Sequence, residues 1–351
     1  MNILHICAGW QKWNGAANIA RMIMDEQRRE GHEVSFATWA KVRELRAADE
    51  VWIHCGWLPC LWWAALWGRN VHWMPEACYD PVRLRYHGWK KWLVGPIERW
   101  CLRRCAKIVA TCEAEAEWIR AYEPRVKSIE VTDIKRFFNL NPVNPVNPVK
   151  KDLHLLYLGR RHPLKGLSYL ETALATYYNK WSSAPSSLAP TTACADNPSS
   201  NPSRKAATYY NKCPIEFRVV SDAFGDELER VWDWCDVLVL PTLSENFGLV
   251  IAEALERGKR VITTDGAPAW EEGLSRVERV EGLTQRRRDA ECAEMFSRVE
   301  HVERVEGGLW SGYGGRLIYL KGYREGTKEQ RIELLRRAIE LMSVGEMMAV
   351  S

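Results

Sequence analysis

The sequence predicts an α/β protein of two domains, each a parallel sheet covered by helices. Three observations carry that prediction. Short apolar runs alternate with amphipathic ones from the first residues onward. A proline-spaced repeat, NPVNPVNPV at 141–149, interrupts the alternation, and a second alternating series starts just after it at LHLLYLG. Strands separated by helical stretches need crossover connections, and such connections make a sheet parallel.

The elements follow in order. NILHIC (2–7) reads as a strand. GAANIARMIMDEQRRE (15–30) sets Ile19, Met22 and Ile23 at helical spacing and stops at Gly31, after which EVSFATW is the next strand. VWIHC, NVHWM and KIVATC continue the strands, with helices over 60–67, 86–105 and EAEAEWIRAY. Proline at every third position excludes a helix or a central strand, so 141–150 is an extended linker between domains 1–140 and 151–330. In the second domain IEFRVVS, CDVLVLPT and RVITTDG are strands, and 331–351 is a closing amphipathic helix. Residues 181–207 are poor in large apolar residues and rich in Ser, Pro, Ala and Thr, and read as a disordered insertion. TYYNK brackets that insertion, and RVERVEG recurs within 276–308, as local expansions of no sustained period.

Composition narrows the function classes. The 351 residues are 46% apolar, enough for a core, and 18 are Trp. From Arg83 to Lys107 eight Lys/Arg face one acid, Glu98, without any nucleic-acid motif. Such a patch suits phosphate-bearing substrates or an anionic lipid surface, and no nucleic acid is expected as partner. RLRYHGWKKWLVGPIERWCLRR mixes Trp with Lys/Arg as an interfacial helix does, and equally fits a solvated basic face. The cysteines show no CxxC pair, no metal-ligand spacing and no disulfide framework, and the chain starts directly as a strand. These features argue for a cytoplasmic protein with reduced thiols and no structural zinc. The longest apolar stretch, 51–67, is interrupted by His54 and Pro59 and is too short for a span.

The chemistry concentrates in LPTLSENFGLVIAEALERGKRVITTDG, 240–266, where Glu245 and Glu253 stand eight apart. Ser244 is expected as a helix N-cap, with Asn246, Phe247 and Gly248 in the first turn. Free N–H groups at the helix start would then bind phosphate. Glu253, set within LVIAEAL, needs a partner: a ribose hydroxyl or Arg257 one turn on. YLGRRHPLKG (157–166) ends a strand at Gly159 and follows it with Arg160, Arg161 and Lys165-Gly166 at a helix start. An exposed basic loop would explain it alone; beside the Glu-x7-Glu segment it reads as a diphosphate clamp.

These segments resemble the family 4 glycosyltransferases, which transfer sugars with retention of configuration. SENFGLVIAEAL is similar to the family's Glu-x7-Glu signature, LGRRHPLKG to its Gly-Arg…Lys-Gly loop, and GAANIARMIMDEQRREGHEV to its glycine-rich loop and helix, with Gly15-Ala16 where the family has two glycines. The resemblance implies the GT-B fold, two Rossmann-like domains facing each other across a cleft. It implies that Glu253 holds the donor ribose, that Glu245 faces the donor sugar, and that Asn246, Phe247, Gly248 and Leu249 meet sugar and diphosphate through the backbone. Arg160 and Lys165 would neutralise the leaving diphosphate, with Gly159, Gly166 and Gly15 at the donor-binding loops. No cofactor or metal is implied. The strand and Gly-Asp-Gly turn that follow the family's Lys-Gly helix are not visible, and IEFRVVS matches a later element. The N-terminal domain should carry the acceptor site and a His or acid near the reacting sugar; candidates are His54, His72, Glu76 and Asp80. The implied partners are a nucleotide-sugar donor and a saccharide or lipid-linked acceptor of lipopolysaccharide type, at the inner face of the membrane through 83–107. A GT-B epimerase and a non-catalytic relative are the alternatives.

Overall fold

The computed structural model describes residues 1–7, 15–54, 59–86, 88–140, 153–182, 215–221, 223–271, 308–312 and 316–348. The Asn-Pro-Val linker and both RVERVEG stretches within 276–308 (Gly308 apart) lie outside the described residues, as does the expected insertion apart from Trp181 and Ser182, which end a helix. The chain forms two compact units. The first is Met1–Asn139 with Ser244–Leu249 and Pro268–Glu272, and the second is the remainder.

The first unit runs β1 (Asn2–Ile6), α1 (Gly15–Arg29), β2 (Glu33–Ala37), α2 (Val42–Ala47), β3 (Glu50–His54), α3 (Pro59–Trp67), β4 (Val71–Met74), α4 (Pro81–Tyr86), α5 (Gly88–Arg104), β5 (Lys107–Ala110), α6 (Glu113–Tyr122) and β6 (Ile129–Val131). Its sheet has the order β2-β1-β3-β4-β5-β6, parallel throughout. β4 is buried at every position, as a central strand covered on both faces must be. α1 buries Ile19, Ala20, Ile23, Met24 and Gln27 at helical spacing. The helix expected over 86–105 is α5, and the short α4 comes before it in the chain. Pro81 opens α4, its missing N–H costing nothing at that position.

The second unit runs β7 (Leu153–Leu158), α7 (Leu167–Ser182), β8 (Ile215–Val220), α8 (Asp226–Trp234), β9 (Val237–Leu240), α9 (Leu249–Glu256, its first residue counted with the first unit), β10 (Arg260–Thr264), β11 (Gly308–Gly312), β12 (Leu317–Lys321) and α10 (Lys328–Met348). The order is β11-β12-β10-β9-β7-β8, parallel except for the β11–β12 pair. IEFRVV is therefore the strand that follows the Lys165-Gly166 helix. The sequence had assigned it to a later element; it pairs with β7 as the sheet's edge. α10 packs on α7 through Leu334, Leu335, Ala338 and Ile339 against Leu170, Leu174 and Tyr177.

β7 is flanked by β9 on one side and β8 on the other, so the chain reverses its direction of progress there. In open α/β sheets ligands bind at the carboxyl ends of the strands at such a switch. Gly166, in the loop after β7, has φ +68, and a Cβ there would lie 1.8 Å from Pro241 O. Gly166→Ala is expected to cost about 1–2 kcal/mol for the left-handed backbone alone, before the clash. Thermal melting should then show a drop of roughly 5 °C or more, and an unchanged Tm would contradict the close approach.

Candidate active site

In the second unit, the loops after β7, β9 and β10 are stitched together at the carboxyl edge of the sheet. Gly159 N donates to Val220 O at 2.9 Å, and Tyr157 Oη donates to Arg160 O at 2.9 Å, fixing the start of the basic loop. His162 Nδ1 accepts from Leu164 N and caps the short turn Pro163–Lys165. Leu164 O then receives Leu243 N at 2.8 Å and Thr242 Oγ1 at 3.1 Å from the loop after β9. Thr264 Oγ1 donates in turn to Thr242 O. Arg160 is exposed, and its guanidinium has no partner among the described residues; Lys165 is half-buried. Two cations thus stand on a rigid turn beside the switch point.

Glu253 is half-buried on α9. Arg257, the alternative partner, sends its guanidinium to Glu229 Oε1 at 2.8 Å and to the main-chain oxygen of Glu253 at 3.3 Å, not to its carboxylate. That carboxylate has neither hydrogen bond nor ion pair among the described residues. Burial raises its pKa, and Arg257 partly opposes the shift. A carboxylate kept half-buried without a partner is poised for a hydroxyl-bearing ligand.

Within the first unit, the segment Ser244–Leu249 is anchored residue by residue. Ser244 is not the N-cap of α9, which begins at Leu249. Its Oγ donates instead to Asp80 Oδ2 at 2.5 Å and accepts from Arg83 Nε at 3.0 Å, while Asp80 Oδ1 holds Val82 N. Thr111 Oγ1 lies 2.7 Å from Asn246 Oδ1. Phe247 is buried between Phe138 and Trp270, and its carbonyl accepts from Trp270 Nε1 at 2.5 Å. Glu245, between these anchors, is half-buried, and its Oε1 accepts from Asn246 N at 3.2 Å. Gly248 has φ +71, a left-handed turn that leads into Leu249. A Cβ on Gly15 would meet Leu249 Cδ1 at 3.8 Å, an ordinary contact, so the space there does not demand glycine.

The remaining candidates occupy different ends of the first sheet. His72 lies toward the amino end of β4, 3.7 Å from Glu50 and edge-on to Trp52, away from the strand carboxyl ends. His54 ends β3 with no exposed surface. Its Nε2 is 2.9 Å from His5 Nδ1, and His5 Nε2 is 2.7 Å from Gln27 Oε1. His54 Nδ1 is 3.9 Å from Glu76 Oε1. Glu76 and Ala77 both have left-handed φ, at +55 and +57, just past β4. Glu115 secures that turn, accepting from Ala77 N at 2.6 Å and from Thr111 N at 2.8 Å.

Sequence reasoning passed over His5, Thr111 and Glu115. The first reads as a strand residue, and the last as one more acid in an acidic first turn. Burial lowers the pKa of His5 to about 4 and holds that of His54 well below the ordinary value. Between pH 6.5 and about 4 the unfolded chain binds a proton at His5 that the folded one refuses, so stability falls as pH drops through that window. The loss should reach about 3 kcal/mol from His5 alone. The urea midpoint of the native protein should therefore drop more between pH 7 and pH 4.5 than that of a His5→Asn/His54→Asn variant.

Residues 36–132 match the family described as Glycosyl transferase 4-like domain, and residues 152–294 match Glycosyl transferases group 1, together more than half of the chain. The chain belongs to the GT-B-type glycosyltransferases. Solved structures agree on the fold. Sucrose-phosphate synthase from Thermosynechococcus elongatus aligns over 75% of this chain and 81% of its own, with 13% identity and a TM-score of 0.51. A structure described as trehalose-6-phosphate from E. coli bound with UDP-2-fluoro glucose aligns over 78% and 86%, with 11% identity and a TM-score of 0.51. No curated protein matches the chain by sequence. The enzyme has no group of three or more His, Cys, Asp or Glu able to hold a metal ion among the described residues. None of its described helices is long and apolar enough to cross a membrane.

Proposed function

We propose that this enzyme is a retaining transferase that moves a sugar from a nucleotide-diphosphate donor to a saccharide or lipid-linked saccharide, in lipopolysaccharide or surface-polysaccharide assembly. The observation that carries the reading is the switch point of the second sheet. There Arg160 and Lys165 sit on a loop tied to the end of β9, and the helix after that strand bears the unpaired carboxylate of Glu253. Glu253 accepts from the ribose hydroxyls. Arg160 and Lys165 neutralise the diphosphate as it leaves, a role that elsewhere falls to a metal. The backbone from Asn246 to Leu249, with Gly248 leaving room, meets the diphosphate and sugar, and Glu245 lies beside the transferred sugar. Both glutamates serve the donor, so they are not the acid–base pair of a hydrolase. In the first unit His54 is the group that serves the reacting sugar, its Nε2 held 2.9 Å from His5 Nδ1, with Glu76 in the left-handed turn just past β4 standing 3.9 Å from its Nδ1.

Retention has a direct test. With no acceptor present, the slow hydrolysis of an α-linked nucleotide sugar should release the α-anomer first, as followed by proton NMR. First appearance of the β-anomer would contradict the proposal.

We extend the proposal to a peripheral position on an anionic membrane. α5 exposes Trp92, at 82%, together with Leu93, Ile97 and Trp100, while it buries Glu98, Cys101 and Leu102. Arg104 stacks on Trp100 at 5.6 Å, adding positive charge to that apolar face. Such a face gains from acyl chains and anionic headgroups together. Replacing Trp92 and Ile97 with Ser should weaken binding to phosphatidylglycerol vesicles roughly tenfold. Added salt should weaken the native protein's binding as well. Equal binding by native and variant protein would remove α5 from the interface.

A further inference from the structure

The side chain of Asn246 is more than nine-tenths buried, and its Nδ2 has no hydrogen-bond partner among the described residues. A buried amide nitrogen left without an acceptor is costly, so it calls for a partner that arrives with a ligand. The other end of the carboxamide is held firmly. Its Oδ1 is 2.7 Å from Thr111 Oγ1, which is itself 2.9 Å from Glu115 Oε2. Glu115 is buried and also fixed by Ala77 N and Thr111 N, so the string is anchored to the carboxyl ends of β4 and β5.

The proton count sharpens this arrangement. Thr111 has one hydroxyl proton for two acceptor atoms, Glu115 Oε2 and Asn246 Oδ1. A directional chain, in which Glu115 donates to Thr111 and Thr111 donates to Asn246 Oδ1, satisfies both and leaves Nδ2 as a donor with no acceptor among the described residues. The burial that raises the pKa of Glu115 favours the proton this chain needs.

We propose that the Asn246 carboxamide donates from Nδ2 to an oxygen of the bound nucleotide sugar, and that Thr111 and Glu115 are positioning residues that aim it. The inference rests on the donor-binding reading above, and it adds a side chain where the family resemblance implied only backbone. It assigns a specific task to three residues that are otherwise a polar patch beside Glu245.

The test uses the full-length protein and titration calorimetry with UDP-glucose, GDP-mannose and ADP-glucose, taking forward whichever binds. Asn246→Ala and Thr111→Val should each weaken binding of that donor roughly tenfold. Thr111→Ser, which keeps the hydroxyl, should restore affinity to within about twofold of native. In turnover of the same donor, the change should appear mainly in KM, because the contact is made in the ground state. Native-like affinity in Thr111→Val, or Thr111→Ser as weak as Thr111→Val, would overturn the assignment. A lowered Tm without a change in affinity would overturn it too, leaving Thr111 a structural role. Binding of none of the three sugars by the native protein would instead count against the donor-binding reading itself.

Discussion

Glu253→Ala is expected to weaken binding of the nucleoside diphosphate by roughly 100-fold, the value of two hydrogen bonds from ribose hydroxyls to a charged acceptor. The same substitution should raise the melting temperature of the unliganded protein. Burial raises the pKa of Glu253, so its ionised form opposes folding. The folded chain holds that proton to a higher pH than the unfolded chain does. Stability therefore declines as pH rises from the ordinary carboxylate range to the raised value. Donor binding moves in the opposite direction, weakening as pH falls through that raised value and the carboxylate protonates. A calorimetric melt and a titration on one variant thus give effects of opposite sign, as expected of a side chain kept for its ligand. A structural glutamate would lose stability on removal.

Arg160→Ala and Lys165→Ala should each lower kcat roughly 10²–10³-fold, the usual cost of deleting one group that stabilises charge developing in a transition state. KM for the donor should rise less than kcat falls, because charge on the diphosphate increases as the glycosidic bond breaks. The two residues differ in surroundings: Arg160 is exposed, whereas Lys165 is half-buried in the capped turn before Gly166. Lys165→Arg should therefore be less well tolerated than Arg160→Lys, because a fork has less room there than a point charge. Steady-state kinetics with the identified donor would decide. A rise in KM with kcat unchanged would show that these cations bind the donor without assisting its departure.

How far the sequence carries can be read from particular segments. Central strands buried on both faces, such as VHWM and VLVL, stand out as continuous apolar runs, so both parallel sheets were visible in advance. β6 and α2 were missed because three and six residues carry too little periodicity. β8 was placed late in the domain because the interval 183–214 separates it from the helix it follows. The motif loops were legible because each lies within one short stretch of chain. Their supports were not. Asp80 meets Ser244 across 164 positions, and Thr111 meets Asn246 across 135, so no local pattern could pair them. Ser244 was misread for the same reason: a serine before a helix looks like a cap until its distant partner is known.

The most direct test of the account is a thermal-shift screen of the full-length protein against UDP-, GDP- and ADP-sugars, with Glu253→Ala alongside. The account predicts that one of the three raises the Tm of the native protein by a few degrees and leaves that of the variant unmoved. No shift with any donor, or an equal shift in native protein and variant, would contradict it.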